Sequence, residues 1–140
     1  MLREDYTIEK AIKISEESLD YSIVITNSVG TILHCNNSWT NMCGYTKNDV
    51  IGKTNVILQG ALTEPYIIRE INNGVVNKYP VTEVIVTNYK KSGISFKNHL
   101  TILRLRDGFA SIVRDLGSCD YTVSYEEKIK ALNDSIIIQD

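Results

Sequence analysis

The residues in this chain best placed for chemistry are side-chain amides. Asn88 and Asn98 flank the short turn Lys91-Ser92-Gly93, and each sits in a stretch rich in β-branched or aromatic residues. An amide offers a donor and an acceptor at once. By residue type alone, such a pair reads as turn-flanking polar side chains satisfied by backbone. The other reactive types are poorly arranged. The three cysteines, Cys35, Cys43 and Cys119, cannot all pair within one chain, and none lies in a CxxC or Cys/His cluster. They read as reduced thiols, and their spacing argues against a disulfide scaffold or a metal site. His34 and His99 are isolated, no Ser/His/Asp or Cys/His arrangement is readable, and there is no phosphate-binding loop. The chain therefore does not read as an enzyme.

Its totals narrow the remaining classes. At 140 residues it has the length of one domain, and 43% apolar with 23% charged residues is an ordinary globular balance. A formal charge of −2, with Lys and Arg scattered, supplies no field for nucleic acid or an anionic membrane. No apolar run approaches a membrane span and the acidic start is no signal peptide, so a soluble, intracellular protein, cytoplasmic or nuclear, is expected.

The elements that must position these residues follow from spacing. Thr7 caps a first helix running to about Asp20, with Ile8, Ile12, Ser15 and Leu19 as its apolar stripe. Residues 21–26 and 31–35 read as a hairpin. Asn36 to Cys43 reads as a short helix stopped by Gly44, and Thr46 to Asp49 has capping-box spacing. Residues 52–60 form a loop or short helix. Thr63 offers a cap to a helix in which Pro65 is tolerated in the first turn, and Gly74 is suited to its left-handed end. Strands follow at about 81–89, 94–105 and 109–115. From Ser124 a last helix is expected, with Tyr125, Ile129, Leu132 and Ile136 in a heptad-like stripe. The order predicts an α+β fold, a five-stranded antiparallel sheet with short helices on one face and flanking N- and C-terminal helices.

Asn36, Trp39 and Met42-Cys43-Gly44-Tyr45-Thr46 in this order of elements resemble the N-x-x-F-x-x-x-x-G-Y stretch of a PAS domain. Two segments resemble its flavin-binding LOV (light-oxygen-voltage) branch. Gly52-Lys53-Thr54-Asn55-Val56-Ile57-Leu58-Gln59-Gly60 is similar to G-x-N-C-R-F-L-Q-G, and the segment from Asn88 to Leu100 is similar to N-Y-x-K-x-G-x-x-F-x-N-x-L. The resemblance divides the chain into a flanking helix at 1–20, a PAS/LOV-like core at 21–116, and a linker with C-terminal helix at 117–140. It implies that Asn88 and Asn98 bond the polar edge of a flavin, and that Gln59 contacts the ribityl chain and phosphate. Thr54 and Asn55 would complete the set of cofactor-binding residues. Period-two alternation from Asn98 would place Phe96, Leu100 and Ile102 beside the ring.

The departures from that pattern carry equal weight. Asn55 stands where the branch has its adduct-forming cysteine, so no sulfur–flavin bond can form there. Cys43 lies on another segment and reads as a small core residue. Val56 and Asn72 replace two phosphate-binding arginines, and each lost charge-assisted bond of roughly 1.5–3 kcal/mol would together weaken FMN binding by about 10²–10⁴-fold. Arg69 could compensate in part. Val113 replaces the signalling glutamine of the last strand. The function implied is a sensory domain holding FMN or riboflavin non-covalently. The alternative is a cofactor-free PAS module for dimerisation, protein partners or another small ligand. Haem would need an axial histidine that residues 64–73 lack. The outward residues Ile85, Leu103 and Ile112 form a strip that a terminal helix, an effector domain or a second copy would cover. His99 should face outward, solvated or on the sheet face.

Overall fold

The computed structural model describes residues 2–118. Its first helix, α1 (Ile8–Glu17), starts where Thr7 accepts a hydrogen bond from the Lys10 amide. The hairpin β1 (Ser22–Asn27) and β2 (Ile32–Cys35) follows, closed by the Asn27 carboxamide, which accepts from the Val29 and Thr31 amides. Then come α2 (Asn37–Cys43), α3 (Lys47–Val50), a 3-10 turn (Asn55–Leu58) and α4 (Pro65–Val76). The chain completes its sheet with β3 (Val81–Tyr89), β4 (Ser95–Arg104) and β5 (Gly108–Asp115). The strand order is β2-β1-β5-β4-β3 and every pair is antiparallel, so the expected α+β, five-stranded sheet is what forms.

Period two divides the sheet into two faces, each with its own core. Val24, Phe96 and Val113 face the short helices and pack with Ile32, Cys35, Trp39, Cys43, Val50 and Leu58. On the other face Ile23, Ile25, Leu103, Ala110 and Ile112 are sealed together with Leu2 and Ala11, the latter from α1. Full burial of each large side chain contributes about 1.5–3 kcal/mol. One polar residue ties the two layers together. Asn36 accepts from the Ile23 and Trp39 amides, capping α2, and donates to the carbonyls of Ser15 and Tyr21, which fixes the end of α1. Gly44 ends α2 at φ 84°, a left-handed conformation that a side chain would strain.

Several sequence expectations are corrected. α1 stops at Glu17, and Leu19 lies beyond it, 88% exposed, while Ala11 joins the buried stripe. Thr63 does not cap α4. Glu64 holds that position without a side-chain cap bond, because both residues are engaged with β3. Gly74 does not end α4. It is buried within the helix, where a Cβ would collide with the Thr82 hydroxyl, and the left-handed residue is Lys78. His99 is on the outer face but not solvated. It is 1% exposed, paired in register with Ile85 and Arg114, and its Nε2 lies 3.1 Å from a Glu83 carboxylate oxygen. Of the outward strip, Leu103 and Ile112 are fully covered, whereas Ile85 stays partly exposed outside that cluster. Among the described residues no helix is long and apolar enough to cross a membrane. The C-terminal helix expected from Ser124, and Cys119, lie outside the described residues.

Candidate ligand-binding site

Between the inner sheet face, the 3-10 turn and α4 lies a cavity of about 350 Å³, with a second of about 130 Å³ beside it. The two share Asn55, Gln59, Ile71, Asn72, Ile102 and Ser111 as walls, so they are parts of one space. That size and mixture of apolar walls with a few polar groups is typical of small-molecule sites. Asn88, 5% exposed, lines the smaller part together with Val86, Leu100 and Ile68. Its Oδ1 accepts a 2.8 Å bond from Asn98 Nδ2, and its Nδ2 donates to the Thr87 carbonyl at 3.2 Å. Asn98 is 1% exposed, and its Oδ1 accepts from the Arg114 amide. It sits behind Asn88 and lines neither cavity.

The 3-10 turn supplies the opposite wall. Thr54 lines the larger part from an exposed position, its hydroxyl accepting from the Val56 amide at 3.4 Å. Asn55 faces both parts, and its Oδ1 is buried with no hydrogen-bond partner. An acceptor left in that state costs roughly 1–3 kcal/mol, which a ligand N–H or O–H would recover. Gln59 follows the turn and also faces both parts. Its place is set by Gly60, where a Cβ would collide with the Tyr89 ring, and by the Gly60 amide donating to Thr63 Oγ1 at 2.9 Å.

The start of α4 is clamped to β3. Thr63 Oγ1 donates to the Thr87 carbonyl at 2.7 Å. Glu64 accepts from the Thr87 amide and hydroxyl and from Lys97 Nζ, at 2.8, 2.9 and 2.9 Å. Partial burial pushes the Glu64 carboxyl upward, but the Lys97 ammonium and the Thr87 donors outweigh it and bring it down to about 2.

Asn55, Gln59 and Asn88 thus meet around one space, with Thr54 at its rim and Asn98 supporting from behind. Of the ring neighbours expected on β4, Leu100 and Ile102 line the space, while Phe96 is absorbed into the core with Trp39. Arg69 is exposed on α4 and lines neither cavity, so the compensation expected of it has no support in the structure. Val113 is likewise a core residue. Ser111, two residues earlier on the same face, reaches the space from β5 together with Phe109, and alternation from Val113 would have found both. Cys43 is 1% exposed in the core, its thiol pushed up by burial, and Cys35 is pushed up to about 11 by the same cause.

A family model described as PAS domain matches residues 20–117. The chain is 36% identical over 76 residues to the blue-light photoreceptor of Listeria innocua, covering 54% of this chain and 30% of that protein. It is 34% identical over 86 residues to phototropin-1A of Oryza sativa subsp. japonica, covering 61% of this chain and 9% of that protein. The chain therefore spans a minor part of the relatives it matches. The solved LOV domain of the Erythrobacter litoralis EL346 blue-light activated histidine kinase superposes with a TM-score of 0.68 at 25% identity, over 72% of this chain and 100% of that one.

Proposed function

Because the chain belongs to the PAS domain family, we propose that it is a LOV-like sensory module whose pocket takes a flavin, FMN or riboflavin, non-covalently and without thiol chemistry. The observation that supports this most is the Asn88 amide, tied to Asn98 at 2.8 Å and turned toward a space with apolar walls. Asn55 lines the same space, and its Oδ1 is buried without a hydrogen-bond partner. A ring with a polar edge and N–H groups meets these requirements. When bound, a flavin would supply light absorption and redox chemistry. The protein's share is to hold its polar edge through Asn88, backed by Asn98, and to contact the rest through Asn55, Gln59 and Thr54.

A second reading has one observation in its favour. The bond between Asn98 and Asn88 satisfies much of the pair without any ligand, as a cofactor-free module would need. A flavin titration by fluorescence quenching, on the native chain and on a chain carrying Asn88→Leu and Asn98→Leu, separates the two. Loss of hydrogen bonds of about 1 kcal/mol each, and of partners for the ring's buried edge at roughly 1–3 kcal/mol per group, should weaken binding at least about a hundredfold. Failure of the native chain to bind at high flavin concentration would remove the flavin reading and leave the second.

Output would pass through the sheet. Ile102 lines the pocket while its neighbour Leu103 packs in the cluster that α1 seals, so β4 touches both. An effector domain or a second copy is the partner this arrangement suits, through α1 and the part of the outer face around Ile85 that stays partly exposed.

A further inference from the structure

We propose that this pocket gives a flavin's phosphate no binding advantage, so that an uncharged flavin with only its polyol chain is taken as well as FMN, and that the chain emerges between the β1–β2 turn and α4. The proposal rests on the flavin reading above and adds the ligand's charge and its exit route. Among the described residues, none that lines either part of the space is charged. The polar groups of the larger part are hydroxyls and amides, among them Ser28, Thr54, Gln59 and Asn72. Each can both donate and accept, which suits a row of alcohols. A phosphate dianion needs cations or several converging N–H donors when it leaves water.

Among the described residues the mouth offers no cation, and its side-chain N–H donors are the neutral amides of Asn55, Gln59 and Asn72. Val29 and Val56, 80% and 62% exposed, flank it as apolar rims. Asn72 and Val75 come from the last turns of α4, the end of a helix that carries its negative pole. The N-terminal end of α4, which could attract an anion, is occupied by the Glu64 carboxylate and its bonds to β3. Arg104 is the cation most worth considering. It lies 4.9 Å from the centre of the Phe109 ring, and Phe109 borders the larger part. Its guanidinium is committed to the carbonyls of Val75 at 2.6 Å and Tyr79 at 3.4 Å, and it lines neither cavity. Lys53 and Arg69 are exposed and line neither.

The test is a pair of fluorescence-quenching titrations of the whole chain, with riboflavin and with FMN, at low and high salt. A chain carrying Asn72→Arg is titrated in parallel. Because Asn72 is exposed, the substitution leaves the core untouched. Riboflavin should bind within about threefold of FMN, or more tightly, with little salt dependence for either. Asn72→Arg should raise the ratio of FMN to riboflavin affinity about tenfold. Native FMN binding more than about threefold tighter than riboflavin, with the gap closing in high salt, would overturn the uncharged-ligand proposal while leaving the flavin reading intact. An unchanged ratio in Asn72→Arg would overturn the exit route. If neither flavin binds, the flavin reading fails and this proposal goes with it.

Discussion

An amide at position 55, with its oxygen buried and unpartnered, changes what light could do in this pocket. An amide cannot act as a thiol nucleophile, and neither of the described thiols, Cys35 and Cys43, lines the pocket. Cys43 is buried in the core with Trp39, off the cavity walls, and burial raises its pKa. The reactive form of a cysteine is the thiolate, so such a residue is inert. Blue-light irradiation of the flavin-loaded chain should therefore give no reversible bleaching to a thiol-bound spectrum. Appearance of that spectrum would refute the assignment and implicate Cys43. At the same scale, Asn88 and Asn98 are not equivalent. Asn88 faces the space and Asn98 holds it there, so Asn88→Leu alone should account for most of the affinity lost by the double substitution.

Among the elements, β3 is an edge strand, and its exposed backbone groups need partners. Thr63 and Glu64 supply them at Thr87, with Lys97 closing the network. The same contacts hold the start of α4, and so the wall that carries Ile68, Ile71 and Asn72, against the sheet. The folded-state pKa of Glu64, about 2, lies below its ordinary 4.5. The carboxylate therefore stabilises the fold fully above the ordinary value, and that stabilisation is lost as the pH falls toward 2. Glu64→Gln should cost about 1–3 kcal/mol in urea unfolding at neutral pH, with part of the acid sensitivity between those two pH values removed. An unfolding midpoint and acid profile identical to the native chain would show that the clamp contributes nothing.

For the molecule as a whole, the outer sheet face is closed by the chain's own N-terminal segment. Ile23, Ile25, Leu103 and Ile112 are all 0% exposed in the cluster that includes Leu2 and Ala11. Removing residues 2–18 would return that surface to water, where an apolar patch promotes association. The truncated chain should elute as a larger species in size-exclusion chromatography and melt at lower temperature. A monomer of unchanged melting temperature would mean that α1 is dispensable to this face. This matters for signalling, because Ile102 and Leu103 are consecutive residues on opposite faces, one at the pocket and one beneath the helix.

What the sequence determined by itself was local. Alternation of apolar residues set five strands and their two faces, because side chains in a strand point to opposite sides at every step. Turn and cap residues such as Asn36, Gly44 and Thr46 marked boundaries, because their bonds reach only a few positions along the chain. The candidate amides were legible only through the resemblance of the β3–β4 hairpin to that of LOV domains. Tertiary structure decided whatever depended on segments remote in sequence. Thr63 gave up the cap position of α4 to Glu64, and both side chains bond instead to Thr87, more than twenty positions away. Gly74 was required by the approach of Thr82 and not by a helix end. Asn98 fell behind Asn88 because their strands pair two residues out of step, Asn88 with Phe96 and Asn98 with Val86. The charge of the pocket was likewise settled in three dimensions, since Arg69 and Arg104 lie on elements that border the space while their side chains line no part of it. Local spacing fixes which way a side chain points, but only the packing of distant elements fixes what it meets.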